Sequence, residues 1–238
     1  MTYVEGFLTP VPAANRAAYL AHAERALPLL NEVGVTRMVE AWGDEVPRGT
    51  TNDLWGAVAA TGDEVVVFSW FEYPDRATRD AATARMMADP RMAELFADMP
   101  FDAGRMVWGG FDPVHDTGRT GTPGYIDGVV LPVGAAGRAG YADHAATMAP
   151  LFVDHGALRV MDAITDDVPP GEVVDFPRAV LQAAGETVGF GWVEWPDRAT
   201  RDAGWQAIMA DPRMAAAGTP PYDGRRMIFG GFAVILDR

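Results

Sequence analysis

The feature that most constrains this chain is that it is written twice. Residues 68–80 read FSWFEYPDRATRD and residues 190–202 read FGWVEWPDRATRD. The same offset of 122 residues pairs Tyr3 with Tyr125, Tyr19 with Tyr141, His22 with His144, Gly34 with Gly156 and Arg37 with Arg159. It also pairs DEVPRG (44–49) with DDVPPG (166–171) and MADPRM (87–92) with MADPRM (209–214). One residue is then lost, so that RMVWGGF (105–111) answers RMIFGGF (226–232). The chain therefore divides into repeats over 1–112 and 124–238. Between them PVHDTGRTGTP (113–123), rich in Gly, Thr and Pro, reads as a linker.

A repeat of this length must build its own layer structure. In the first copy YVEGFLTP reads as a strand stopping at Pro10, and residues 13–32 as a helix ended by Gly34 and bent or shortened at Pro28. VTRMVEAW (35–42) reads as a strand, LWGAVAA (54–60) as a weaker one, and EVVVFSWFEY (64–73) as the strongest. Residues 76–88 form a second helix, a short helical turn and loop follow, and RMVWGGFD (105–112) is the last strand. This order is the split β-α-β pattern of ferredoxin-like α+β domains with an added hairpin strand. VVVFSWF is apolar on both faces, as in a strand covered on both sides. The economical arrangement packs the two repeats sheet to sheet around a barrel-like core.

The phrases YVEGF, VTRMVEAWGDEVP, VVFSWFEYPDRATRDAATARMMADPRM and MPFDAGRMVWGGF together resemble the YbaA-like family, a domain of unknown function in the dimeric α/β-barrel superfamily. The resemblance implies two ferredoxin-like repeats forming an intramolecular pseudo-dimer. It implies no established reaction.

Composition limits the partners. Lys and Arg total 19 against 33 acids, a formal charge of −14. That balance argues against nucleic acid and against an anionic membrane surface. There is no Cys, which removes disulfides, thiolate metal sites and a cysteine nucleophile. MTYVEGFLTP has no basic stretch leading into an apolar one, so a cytoplasmic location is expected. No phosphate loop, GxSxG or HExxH motif is present, and no cofactor or metal is expected. The expected assembly is a monomeric pseudo-dimer or a homodimer, with a small hydrophobic or aromatic ligand.

PDRATRD is explained structurally: Pro74 ends a strand, Asp75 caps a helix, and Asp75–Arg79 and Arg76–Asp80 stand at i, i+4. His22 and His144 are expected to pack on their helices. Alternation puts Val66, Phe68, Trp70 and Glu72 on one face, and Met38, Glu40 and Trp42 on another. With Trp108 on the last strand, Trp42, Trp70 and Trp108 are expected to wall a cavity between the sheets. Glu72 and Glu40 are then the candidate bases, a desolvated carboxylate being suited to proton transfer, with Arg37 as an anion or oxyanion partner. Glu72 and Arg37, with Glu194 and Arg159, also read as paired charges holding strands in register. If one pocket works, the more aromatic first repeat is the expected one. The leading function is a cofactor-free oxygenase, isomerase or cyclase, by fold analogy. The alternatives are a non-catalytic small-molecule binder, or an interaction protein with a filled interior.

Overall fold

A computed structural model describes residues 2–238. The first repeat runs β1 (Tyr3–Pro12), α1 (Arg16–Val33), β2 (Arg37–Glu45), α2 (Leu54–Ala57), β3 (Glu64–Tyr73), α3 (Arg76–Ala88), α4 (Pro90–Ala97) and β4 (Val107–Asp116). The second runs β5 (Tyr125–Val133), α5 (Gly137–Asp154), β6 (Arg159–Asp167), α6 (Phe176–Ala179), β7 (Thr187–Trp195), α7 (Arg198–Ala210), α8 (Pro212–Ala216) and β8 (Ile228–Asp237). The fold is mixed α+β, and its eight strands close one barrel in the order β1-β3-β2-β8-β5-β7-β6-β4. Every pairing is antiparallel, including the seams β2–β8 and β4–β6 where the repeats meet. Closure leaves no exposed sheet edge.

The local chemistry explains most boundaries. Helix α1 ends where Gly34 takes a left-handed φ of 113°, and Pro28 sits inside it without ending it. Asp75 and Asp197 cap α3 and α7 by accepting from the backbone N–H of Thr78 and Thr200. LWGAVAA is not a strand. Asp53 accepts from the Gly56 N–H and starts the short helix α2, and Ala59 then turns with a φ of 47°. No added hairpin strand forms. Residues 113–116, read as linker, continue β4 and pair with β6. There Pro113 stands opposite Ala163, and His115 and Asp116 opposite Asp162 and Met161 of the second repeat.

The space inside the barrel is filled. Trp70 stacks on Trp192 at 4.1 Å and Phe68 on Phe190 at 4.7 Å, with Phe111, Phe176 and Phe232 packed around them. A Cβ on Gly6 would meet the Phe190 ring at 2.7 Å, and one on Gly128 would meet the Phe68 ring at 2.7 Å. Each repeat's YxxG phrase thus makes room for an aromatic ring of the other. Among the described residues, stacked aromatic rings occupy the space where a cavity was expected between the sheets.

Candidate functional site

Arg37 and Glu72 stand at one end of the barrel in a buried ion cluster. Arg37 reaches Glu194 at 2.6 Å, Asp237 at 2.8 Å and Glu72 at 3.2 Å. Its counterpart Arg159 reaches Glu72 at 2.7 Å and Asp116 at 2.8 Å. Trp70 and Trp192 donate their indole N–H to Glu72 and Glu194. Glu72 therefore accepts from two guanidiniums and an indole. The proposed roles of Glu72 as a base and Arg37 as a substrate partner have no support in this geometry. Their reading as paired charges fits it, with the pairs running between repeats. Removing one partner would strand a buried charge.

The open space lies on the other side of the barrel wall, between the strands and the helices. In the first repeat a cavity of about 240 Å³ is bounded by β1, β2, β3 and helices α1, α3 and α4. At its floor the Tyr19 hydroxyl donates to Glu40 at 2.6 Å. Burial pushes the Glu40 carboxyl up to about 7, opposed by hydrogen bonds from Tyr19 and Ser69. Phe7 and Phe71 fill the middle, their rings 4.8 Å apart, and Phe101 packs on Tyr19 at 5.7 Å. His22 lines the same cavity with a buried Nδ1 that has no hydrogen-bond partner, and burial holds its pKa down.

In the second repeat the equivalent space is about 510 Å³, bounded by β5–β8 and helices α5, α7 and α8. Tyr141 donates to Asp162 at 2.7 Å. Burial raises the Asp162 carboxyl, while Tyr141 and the nearby His115 pull it back. The volume follows from substitution: Val129 and Val193 stand where Phe7 and Phe71 stand in the first repeat. Ser69 becomes Gly191, Thr9 becomes Leu131 and Phe101 becomes Tyr222. By contrast the barrel-facing pairs Gly6/Gly128, Phe68/Phe190, Trp70/Trp192, Arg37/Arg159, Glu72/Glu194 and Asp116/Asp237 are identical.

Of the candidate catalytic and ligand-binding residues Glu72, Glu40, Trp42, Trp70, Trp108 and Arg37, only Glu40 and Trp108 line one of these two cavities, Trp108 at the rim and 37% exposed. Trp42 lies beside the cavity, edge-on to Tyr19 at 6.3 Å, beneath the Arg16 guanidinium. Trp70 belongs to the barrel interior. The two glutamates, read as sharing a cavity, point to opposite sides of the barrel wall. Sequence reasoning missed Tyr19 and Tyr141 and the larger second cavity, while Asp162 is the second-repeat equivalent of the candidate Glu40. The signal was present: Tyr19/Tyr141 and Glu40/Asp162 keep their chemistry at matched positions while their neighbours change size.

PDRATRD also does more than start helices. Arg76 pairs with Asp80 at 3.6 Å as expected. The expected Asp75–Arg79 pair is not made. Arg79 turns inward to Glu5 at 3.1 Å and onward to Asp167 of the other repeat, and Arg201 does the same with Asp127 and Glu45. Among the described residues no cluster of His, Asp or Glu has the makings of a metal site, and no helix is long and apolar enough to cross a membrane.

Residues 2–103 and 124–224 each match the family described as protein of unknown function (DUF1428). The uncharacterized protein YbaA of Escherichia coli (strain K12) is 49% identical over 116 residues, 49% of this chain and 99% of that protein. Among solved structures, a proposed monooxygenase from Lactobacillus acidophilus NCFM aligns with a TM-score of 0.61 at 10% identity, covering 100% of this chain and 96% of that one. Another, from Fusobacterium nucleatum, aligns at 0.59 and 10% identity, covering 100% and 94%. An anthrone oxidase-like protein aligns at 0.52 and 10% identity, covering 100% and 92%. At this identity the likeness is one of fold.

Proposed function

The chain belongs to the DUF1428 family, matched once in each repeat, and from that premise we propose that it is a small-molecule enzyme whose buried carboxylate takes a proton from an apolar, enolisable substrate. The observation that carries this reading is the tyrosine–carboxylate pair at the floor of each apolar cavity. Desolvation makes such a carboxylate a stronger base than one in water: it raises Asp162 and pushes Glu40 up to about 7, where basicity is balanced against the fraction ionised. The tyrosine hydroxyl fixes the carboxylate's orientation. The aromatic and Met side chains around it bind the substrate's apolar body and exclude water. Loss of the proton leaves an enolate, an electron-rich species open to reaction with O2, which is where the oxygenase class enters, by analogy of fold alone. The residues present call for no bound cofactor.

The strand orders β4-β1-β3-β2 and β8-β5-β7-β6 support reading residues 1–112 and 124–238 as two ferredoxin-like units joined as an intramolecular pseudo-dimer.

The test is hydrogen–deuterium exchange at the acidic carbon of anthrone, followed by NMR without oxygen, with O2 uptake measured in parallel. Wild type is expected to accelerate exchange, and the double variant Glu40→Gln/Asp162→Asn to lose at least 100-fold of it while keeping its circular dichroism. A folded double variant exchanging at the wild-type rate would refute the carboxylate base. Binding of anthrone without any exchange would identify a carrier instead.

A further inference from the structure

The two cavities are not equivalent, and we propose that the second repeat holds the working site, taking an enolisable fused-ring ketone of about three rings. The inference rests on the carboxylate-base reading above and assigns it to one of the two places it could act.

Three differences carry it. The first is room. An apolar cavity of about 150 Å³ takes one benzene ring. The second-repeat cavity of about 510 Å³ holds roughly three such rings, and the first-repeat cavity of about 240 Å³ little more than one. Val129 and Val193 set that difference, standing in the place of the Phe7–Phe71 ring pair.

The second is access to the base. Glu40 is 4% exposed, with Tyr19 donating to its Oε2 and Ser69 opposite it on β3. Asp162 is only partly covered, and Tyr141 occupies its Oδ1 alone. Gly191 removes the hydroxyl that Ser69 supplies in the first repeat, and Leu131 replaces the hydroxyl of Thr9. No hydrogen bond reaches Oδ2 among the described residues, so this oxygen is left for a substrate.

The third is the polar surroundings. Tyr222 lines the second cavity where Phe101 lines the first, and a bridge between Val133 and Tyr222 fixes its backbone. Its hydroxyl is a donor for the oxygen on which negative charge collects. His115, carried across by the extension of β4, stands opposite Asp162, while its counterpart Leu236 stands opposite Glu40. His144 packs on Tyr222 at 5.6 Å and completes the wall.

In the step assigned to this site, the substrate C–H bond breaks and its proton forms an O–H bond on Asp162 Oδ2. The electron pair moves into the enolate, whose oxygen accepts from the Tyr222 hydroxyl. In D2O the Asp162 proton exchanges with solvent and the reverse step returns deuterium to carbon, so atoms and charge balance with no other reactant.

Two variants decide the matter, with anthrone as the three-ring probe. Asp162→Asn is expected to lower exchange at least 100-fold, and Val129→Phe/Val193→Phe to raise the KM for anthrone at least tenfold. If Asp162→Asn keeps the activity and only the double variant with Glu40→Gln loses it, the first repeat is the working one and the assignment falls, although the base reading stands. If the double variant also keeps it, both fall. An unchanged KM in Val129→Phe/Val193→Phe overturns the size argument.

Discussion

Gly6 and Gly128 mark where the two repeats come closest. Each is a glycine because an aromatic ring of the other repeat lies where its Cβ would be. Overpacking of this kind costs about 1–3 kcal/mol. Gly6→Ala is therefore expected to lower the unfolding free energy by that amount, measured by urea denaturation; a change below 0.3 would show that Phe190 moves aside at no cost. Glu40 gives a second expectation at this scale. Its folded pKa of about 7 lies above the ordinary carboxyl value of 4.5. Between those values the folded state holds a proton that the unfolded state has released, so Glu40 makes stability fall as pH rises. Glu40→Gln removes this contribution, and its stability relative to wild type is expected to improve by on the order of 1–3 kcal/mol from pH 4.5 to 7.5. A difference independent of pH would mean that Glu40 titrates normally. Glu40 was legible as a candidate from strand alternation. Tyr19 was not, because a tyrosine at helical spacing reads as core until the opposite strand is known.

At the scale of elements, the charged helix starts tie the repeats together. Arg79 on α3 and Arg201 on α7 are anchored in their own repeat on Glu5 and Asp127 and reach the last residue of a strand, β6 or β2, of the other. Arg79→Met leaves Glu5 buried without its cation, and is expected to cost about 3–5 kcal/mol. Arg76→Met, which breaks an exposed pair, is expected to cost no more than about 1 kcal/mol; equal losses from the two would refute the distinction. Sequence reading located β3 and α3 because apolar alternation, Pro74 and Asp75 all mark the same boundary. It misread LWGAVAA because four apolar residues in a row fit a strand and a short buried helix equally well, and only the Asp53 cap decides. It cut β4 short because Pro113 reads as a stop. Within β4 it is tolerated at a register shift, where the ladder needs no N–H.

At the scale of the whole molecule, closure depends on both repeats. The barrel interior is built from rings of β3 and β7 that stack on one another through its middle, and half of it would expose them to water. A chain of residues 1–116 alone is expected to form a homodimer, with Gly6 facing Phe68 and Arg37 facing Glu72 of the second copy, as shown by light scattering. A folded monomer would contradict it. A barrel-like α+β core was readable from the repeat and from the doubly apolar β3. The position of the cavities was not. Alternation shows that Trp70 and Glu40 lie on faces of strands, but which face meets the other sheet and which meets the helices is settled by closure.

Fusing the repeats has a consequence for how such a molecule can vary. In a homodimer any substitution is made at two places at once, so a change that suits one pocket is imposed on the other. Here each copy is spelled separately. The barrel-facing Gly6, Phe68, Trp70, Arg37 and Glu72 still match their own counterparts, while Phe7 and Val129, Ser69 and Gly191, and Phe101 and Tyr222 have moved apart. One polypeptide thereby does what a heterodimer does, with its two unlike halves always made in equal number and always paired with each other.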